Sequence, residues 1–359
     1  MLNNSTFFVG LDLGDKHSYM TIIDQEGELV EETRLPTTKA SLRRKFSTLQ
    51  PSRIAMEVGA NSRWVSHLLK ELDHDVLVAN ARKLRAIYQN PRKGDRVDAE
   101  TLARLARLDP DLLSPIHHRS PQAQADLAVL RSRDALVRSR TLLINHARDI
   151  VKSTGARLPS CSADAFARKA ISSVPQQLRP ALLPIFDIIA SITQQIRSYD
   201  QKAENLCSQT YPETKLLRPV GGVGPITALA YILTLERPDR FRRSRDVGPA
   251  LGLVPKRDQS GDRDPQLRIT KTGDPYLRRL LVSSAQYILG PFGPDCDLRR
   301  WGSKLAERGG KNAKKRAVVA VARKLAVLLH HLWRTGEIYD PLYLQKNREQ
   351  SSEPAPTAV

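Results

Sequence analysis

Residues 6–35 carry their apolar positions in the rhythm of extended chain. TFFVGLDL (6–13) is a β-rich apolar run, GDKHS interrupts it with turn-forming residues, and YMTIID (19–24) resumes it. That pattern predicts strand, tight turn, strand. RIAMEVG (53–59) predicts a further strand, the stretch from Trp64 to Leu72 a helix, and DVLVAN (75–80) a short strand. RVDAETLARLARL (96–108) has the spacing of an amphipathic helix. Strands alternating with helices predict an α/β domain that ends near residue 118.

The pattern then changes. From Ala123 to Val151 two apolar ridges run side by side at seven-residue spacing: Val129, Leu136, Leu143, Ile150 and Leu130, Val137, Ile144, Val151. A second helix carries Leu182, Ile185, Ile189, Ile192, Ile196, Tyr199, Ala203 and Leu206, alternating three and four apart. This is the rhythm of a coiled coil. It fits equally two long helices packed within one chain and a seam between two chains. From about Leu217 the chain becomes compact and basic, beginning with RPVGGVGPITALAYIL and ending in the helix AKKRAVVAVARKLAVLLHHLWR. The tail after Gln345, ending SSEPAPTAV, reads as disordered. The division expected is 1–118, an α/β domain; 119–212, coiled-coil helices; 213–345, a mostly helical basic domain; and 346–359, a tail.

Charge narrows the function. Across 359 residues, 57 Lys and Arg face 38 Asp and Glu, a net charge of +19. An excess of that size favours a polyanionic partner through phosphate contacts and counterion release. Cys161, Cys207 and Cys296 are widely separated, with no CxxC or Cys/His spacing, which argues against a zinc site or a disulfide framework. No secretory signal is visible at the N-terminus, and the apolar stretch Leu182–Ile192 is short and contains Pro184 and Asp187. A cytoplasmic, nucleic-acid-facing protein without a membrane partner is the expectation.

The candidate chemistry begins with carboxylates. Asp12 sits inside the apolar run FFVGLDLG and Glu57 ends the apolar run IAMEVG, both costly positions for a charge without a task. Asp95 and Asp98 lie three apart at a helix start, so they can share one helical face. Two strand-end acids and such a pair make a plausible cage for two Mg²⁺ ions, with Mn²⁺ as a substitute, because hard cations take oxygen ligands and paired metals stabilise both oxygens of a phosphoryl displacement. Taken alone, Asp95 and Asp98 read better as N-terminal caps or first-turn acids of a helix. LDLGDKHS also resembles the first phosphate loop of the actin-like ATPase fold, but the second DxG loop and the Gly-rich adenosine motif of that fold are missing.

Further along, PVGGVGPITALAY (219–231) looks like the glycine turn of a helix-hairpin-helix, in which Gly222 and Gly224 let backbone N–H groups approach a phosphate. A plain tight turn is the alternative. Lys256, Arg257, Arg268, Lys271, Arg278 and Arg279, and then Lys314, Lys315 and Arg316 on the last helix, read as phosphate contacts or as solvated helical faces. Ser260 lies among these cations with no nearby His, and its spacing alone does not promote it.

GLDLGDKHS, AMEVG and KGDRVDAE, followed by GVGPITA, LGLVP, QSG and ITKTGDPYLRRLL, together resemble the insertion-sequence one-ten family of transposases. These are also called DEDD transposases or bridge-RNA recombinases, and the resemblance spans about residues 7–340. It implies a RuvC-like, ribonuclease H-type first domain whose four acids fall on Asp12, Glu57, Asp95 and Asp98. It also implies a C-terminal transposase domain whose serine falls on Ser260. The run after the serine departs from the family pattern, being GDRDPQ here, and Trp64 comes seven residues after Glu57. The mechanism implied combines Mg²⁺ at the carboxylates with attack by Ser260 to give a transient phosphoserine link to DNA. The partners implied are donor and target DNA, a noncoding guide RNA, and further copies of the chain, as a dimer or a synaptic tetramer in which acids and serine come from different protomers. A metal-only nuclease of junction-resolving type and an architectural nucleic-acid-binding protein are the competing readings.

Overall fold

The computed structural model describes residues 7–80, 94–265 and 267–345, and the tail 346–359 lies outside them. The chain divides into two compact units, Met1–His118 and Arg119–Val359.

The first unit is built on a five-stranded sheet. Strands β1 (Phe8–Asp12), β2 (His17–Ile23) and β3 (Leu29–Pro36) form an antiparallel meander. Helix α1 (Lys39–Phe46) leads to β4 (Arg53–Glu57), helix α2 (Ser62–Lys70) to β5 (Asp75–Ala79), and these two strands add in parallel. The order is β3-β2-β1-β4-β5, a mixed α/β sheet compatible with the RuvC-like domain expected. Strand alternation divides the side chains between two faces. Val9, Leu11, Ile54 and Met56 pack with Leu42, Phe46, Val65 and Leu69 of α1 and α2. Ala55 and Ala79 turn the other way, against Leu102 and Ala106 of helix α3 (Asp95–Leu108).

Strand β3 and helix α1 were not expected from the sequence. LVEETRLP has no buried residue, and its side chains range from half-buried to exposed. It is a strand because β2 offers it a ladder, with pairs from Ser18↔Leu35 to Ile22↔Glu31.

The second unit is helical. Helices α4 (Pro121–Ser153) and α5 (Arg179–Asn205) carry the two heptad patterns. Ile144, Ala147 and Val151 share one core with Leu182, Phe186 and Ile189, so these ridges pack on each other within the chain. Buried Arg140 crosses between them, donating to Asp164 (2.6 Å) and to Thr193 (3.2 Å).

The remaining core surrounds helix α6 (Pro225–Leu235), which is apolar all round and buried from Thr227 to Leu235. Around it pack Leu127 and Leu130 of α4, Leu277, Leu281 and Ile288 of helix α7 (Pro275–Leu289), and Val321, Leu325 and Leu329 of the last helix. Between these lies helix α8 (Asp297–Glu307), and the last helix is α9 (Ala313–Thr335). Tyr231 Oη donates to Ala326 O at 2.6 Å, so the buried phenol is satisfied. Among the described residues no helix is long and apolar enough to cross a membrane.

Candidate active site

Strands β1 and β4 run parallel in the register Phe8↔Arg53 to Leu11↔Met56. One step further sets Asp12 level with Glu57 at the same sheet edge. Side chains alternate, so Asp12 shares the face of Gly10, and Glu57 shares the face of Ala55. That is the face covered by α3, which lies very close: a Cβ on Gly10 would stand 1.7 Å from Ala99 O. Glycine is the residue that permits this approach.

The polarity of α3 places the other acids. At its C-terminal end Arg107 Nη1 donates to Gln25 O (3.0 Å), just beyond Ile23, the partner of Phe8. The N-terminal end therefore lies toward Asp12. Asp98 is on the buried face of the helix, 9% exposed, in line with Leu102 and Ala106. The fold thus gathers Asp12, Glu57 and Asp98 at one end of the sheet–helix interface. Asp95 opens the helix one turn earlier and is exposed. The donors are all carboxylate oxygens, the set that Mg²⁺ and Mn²⁺ take. They share an edge without closing on one another: among the described residues no three His, Cys, Asp or Glu side chains form a group that could hold a metal ion.

The loops after β1 and β4 are tied together by Asn61, which the sequence reading did not single out. Its Nδ2 donates to Gly14 O (3.2 Å), while its Oδ1 accepts from Trp64 Nε1 (3.0 Å). Ser62 Oγ accepts from Gly59 N (3.0 Å) and lies 3.0 Å from His118 Nε2.

Ser260 lies in the second unit, at the tip of a hairpin-like arm. Main-chain bonds Thr270 N to Val254 O (2.9 Å) and Lys256 N to Arg268 O (2.9 Å) join its two sides. At the tip Ser260 and Arg263 exchange both bonds, at 3.1 and 3.0 Å, around Gly261 and Asp262. Gly252 anchors the base with φ +67°, where a Cβ would stand 2.3 Å from Thr272 N. Ser260 is exposed, its hydroxyl makes no hydrogen bond among the described residues, and Lys256, Arg257 and Arg268 are exposed on the same arm.

The remaining cations divide by what they touch. Arg278 Nη1 donates to Leu251 O (2.9 Å) and Thr272 O (2.6 Å), so it clamps the base of the arm. Arg279 pairs with Asp134 (2.5 Å). Lys314, Lys315 and Arg316 occupy the exposed first turn of α9, which has no acidic residue. Cations there oppose the helix dipole, a cost that a bound anion offsets. Lys271 is exposed at the foot of the arm, in a left-handed conformation (φ 56°).

The glycine turn lies between a single helical turn, Thr214–Leu217, and α6. Gly222 O accepts from Ser284 Oγ of α7 (2.7 Å), and Gly224 is the N-cap of α6. A cleft of about 510 Å³ opens along the turn.

A mixed sheet with carboxylates at one edge, joined in sequence to a basic helical unit, belongs to a transposase, an enzyme that acts on DNA. Residues 9–155 match a family model described as a transposase of the DEDD type, and residues 214–295 match one described as the IS116/IS110/IS902 transposase family. The chain belongs to this IS110/IS116 family. Similar proteins include one of Pseudomonas aeruginosa that carries the name of a family 20 transposase, 28% identical over 93% of this chain and 98% of its own. The transposase for insertion sequence element IS1328 of Yersinia enterocolitica is 27% identical, over 78% of this chain and 83% of its own. That for IS1111A of Coxiella burnetii is 28% identical over 70% of each.

Proposed function

We propose that this transposase cuts and rejoins DNA by a composite mechanism that uses the carboxylate edge and Ser260. The observation that supports the reading is the strand register that sets Asp12 level with Glu57 on the face covered by α3, whose buried side carries Asp98, with Asp95 one turn away. Carboxylates at one end of the sheet–helix interface offer the hard oxygen ligands that a divalent metal takes. When bound there, Mg²⁺ would neutralise the charge that builds on the scissile phosphate.

Ser260 attacks phosphorus, the bond to the leaving sugar oxygen breaks, and the protein holds the DNA end as a phosphodiester of serine. Attack by a sugar hydroxyl on that link releases the serine and reseals the strand, so no external energy source is needed. The exposed tip of the arm favours this role, because a nucleophile must reach a phosphate on the surface of a duplex. Lys256, Arg257, Arg268 and Lys271 on the arm, Lys314, Lys315 and Arg316 on α9, and the turn at Gly222 and Gly224 supply phosphate contacts. Arg278 is left out of this set because its donors serve the arm itself. The same basic surface accommodates a guide RNA through backbone shape and charge. Acids and serine meet in an assembly of several copies.

The test is trapping of denaturant-resistant protein–DNA adducts in cells carrying the gene with its flanking DNA. Wild type should give adducts, and both Ser260→Ala and Asp12→Ala should abolish them along with recombination. Normal cleavage by Ser260→Ala would instead establish a metal-only nuclease.

A further inference from the structure

A shallow cleft, open to solvent, runs along the glycine turn where it packs on α7. One wall is the turn itself, with Gly222 and Gly224, and the other is α7, with Ser283 and Tyr287; Pro294 closes one end. Its volume of about 510 Å³ is that of a small-molecule pocket.

Three features point to an anionic, aromatic occupant. The cleft meets the N-terminus of the eleven-residue helix α6, where the N–H groups of Ile226 and Thr227 have no intrahelical acceptor and the helix dipole favours negative charge. Thr227 lines the cleft while only 7% exposed, and its hydroxyl has no hydrogen-bond partner among the described residues. The hydroxyl is therefore open to a ligand in the cleft. Tyr287 is 48% exposed on the facing helix, an aromatic surface available for stacking. Phe292, 84% exposed, stands two residues before Pro294 on the same loop.

We infer that this cleft binds a single unpaired nucleotide of a nucleic-acid strand. Its phosphate sits on the α6 N-terminus and the Thr227 hydroxyl, and its base stacks on Tyr287. The inference rests on the reading of this turn as a nucleic-acid contact and adds that the strand is single there. Such a nucleotide occurs at a strand end, in a bulge or at a displaced base of an opened duplex.

The experiment measures binding of the full chain, in EDTA, to two probes of the same sequence. One is a single strand carrying 2-aminopurine, and the other is the fully paired duplex. Wild type should quench 2-aminopurine fluorescence in the single strand. Thr227→Val, which keeps the shape, and Tyr287→Leu should each weaken single-strand binding about tenfold. Tyr287→Leu should also abolish the quenching, and both should leave duplex affinity within about twofold and the melting temperature unchanged. The inference is overturned if both variants bind the single strand as wild type does, or if single-strand and duplex affinities fall in parallel. Absence of any salt-sensitive binding by wild type to either probe would instead remove the nucleic-acid reading of this unit.

Discussion

At the scale of single residues, Gly10 and His330 show how little freedom the interior leaves. A methyl group on Gly10 would overlap Ala99 O, so Gly10→Ala must push α3 away from β1. The variant should lose about 2–3 kcal/mol in urea unfolding, together with cleavage, because Asp98 moves with the helix. His330 is fully buried between Ser244 Oγ and Pro238 O, each 2.9 Å away. A carbonyl only accepts, so Nε2 carries a proton, and in the neutral ring Nδ1 accepts from the serine. Burial holds its pKa below the ordinary value of 6.5. In acid the unfolded ring therefore takes up a proton before the folded one does, and stability falls as pH drops below about 6.5. Thermal unfolding between pH 7.5 and 5.5 should show this slope. His330→Gln, whose amide can make both bonds, should flatten it. Asp12 and Glu57 were legible in the sequence because each interrupts an apolar run. Thr227 and Tyr287 were not, since a threonine and a tyrosine on apolar helices look like ordinary core residues until the cleft between those helices is seen.

At the scale of elements, the carboxylate edge depends on two loops held at a fixed separation. Asn61 joins the loop after β1 to the start of α2 through Gly14 O and Trp64 Nε1. Asn61→Ala should cost only about 1 kcal/mol in stability while lowering cleavage more than tenfold, as Asp12 and Glu57 lose their relative placement. Cleavage at the wild-type rate would show that the strands alone set that placement. Strands β1, β2, β4 and β5 and helices α2 and α3 were legible because their periodicities are local. β3 was not, since its support is the ladder of β2 rather than an apolar face. The heptads announced two long helices but could not say what each faces; the shared core of α4 and α5 shows that much of the apolar ridge is used within the chain.

For the molecule as a whole, charge is the property that reaches furthest. The net charge of +19 and the cations in the first turn of α9 imply binding that weakens steeply with salt. Replacing Lys314 and Lys315 together by alanine should reduce the slope of log affinity against log salt by about 2. An unchanged slope would remove them from the interface. The sequence by itself determined the class of each region, the acids that interrupt apolar strands, the basic character of the second unit and the family, because these are carried by neighbouring residues and by motif order. Only the tertiary structure decided that Asp12, Glu57 and Asp98 lie toward one end of the sheet–helix interface, that Ser260 stands at the tip of an arm clamped by Arg278, and that the glycine turn packs beside Tyr287. Each of these joins residues that are not neighbours in the chain, and such proximity arises from strand register and helix packing, which no local pattern encodes.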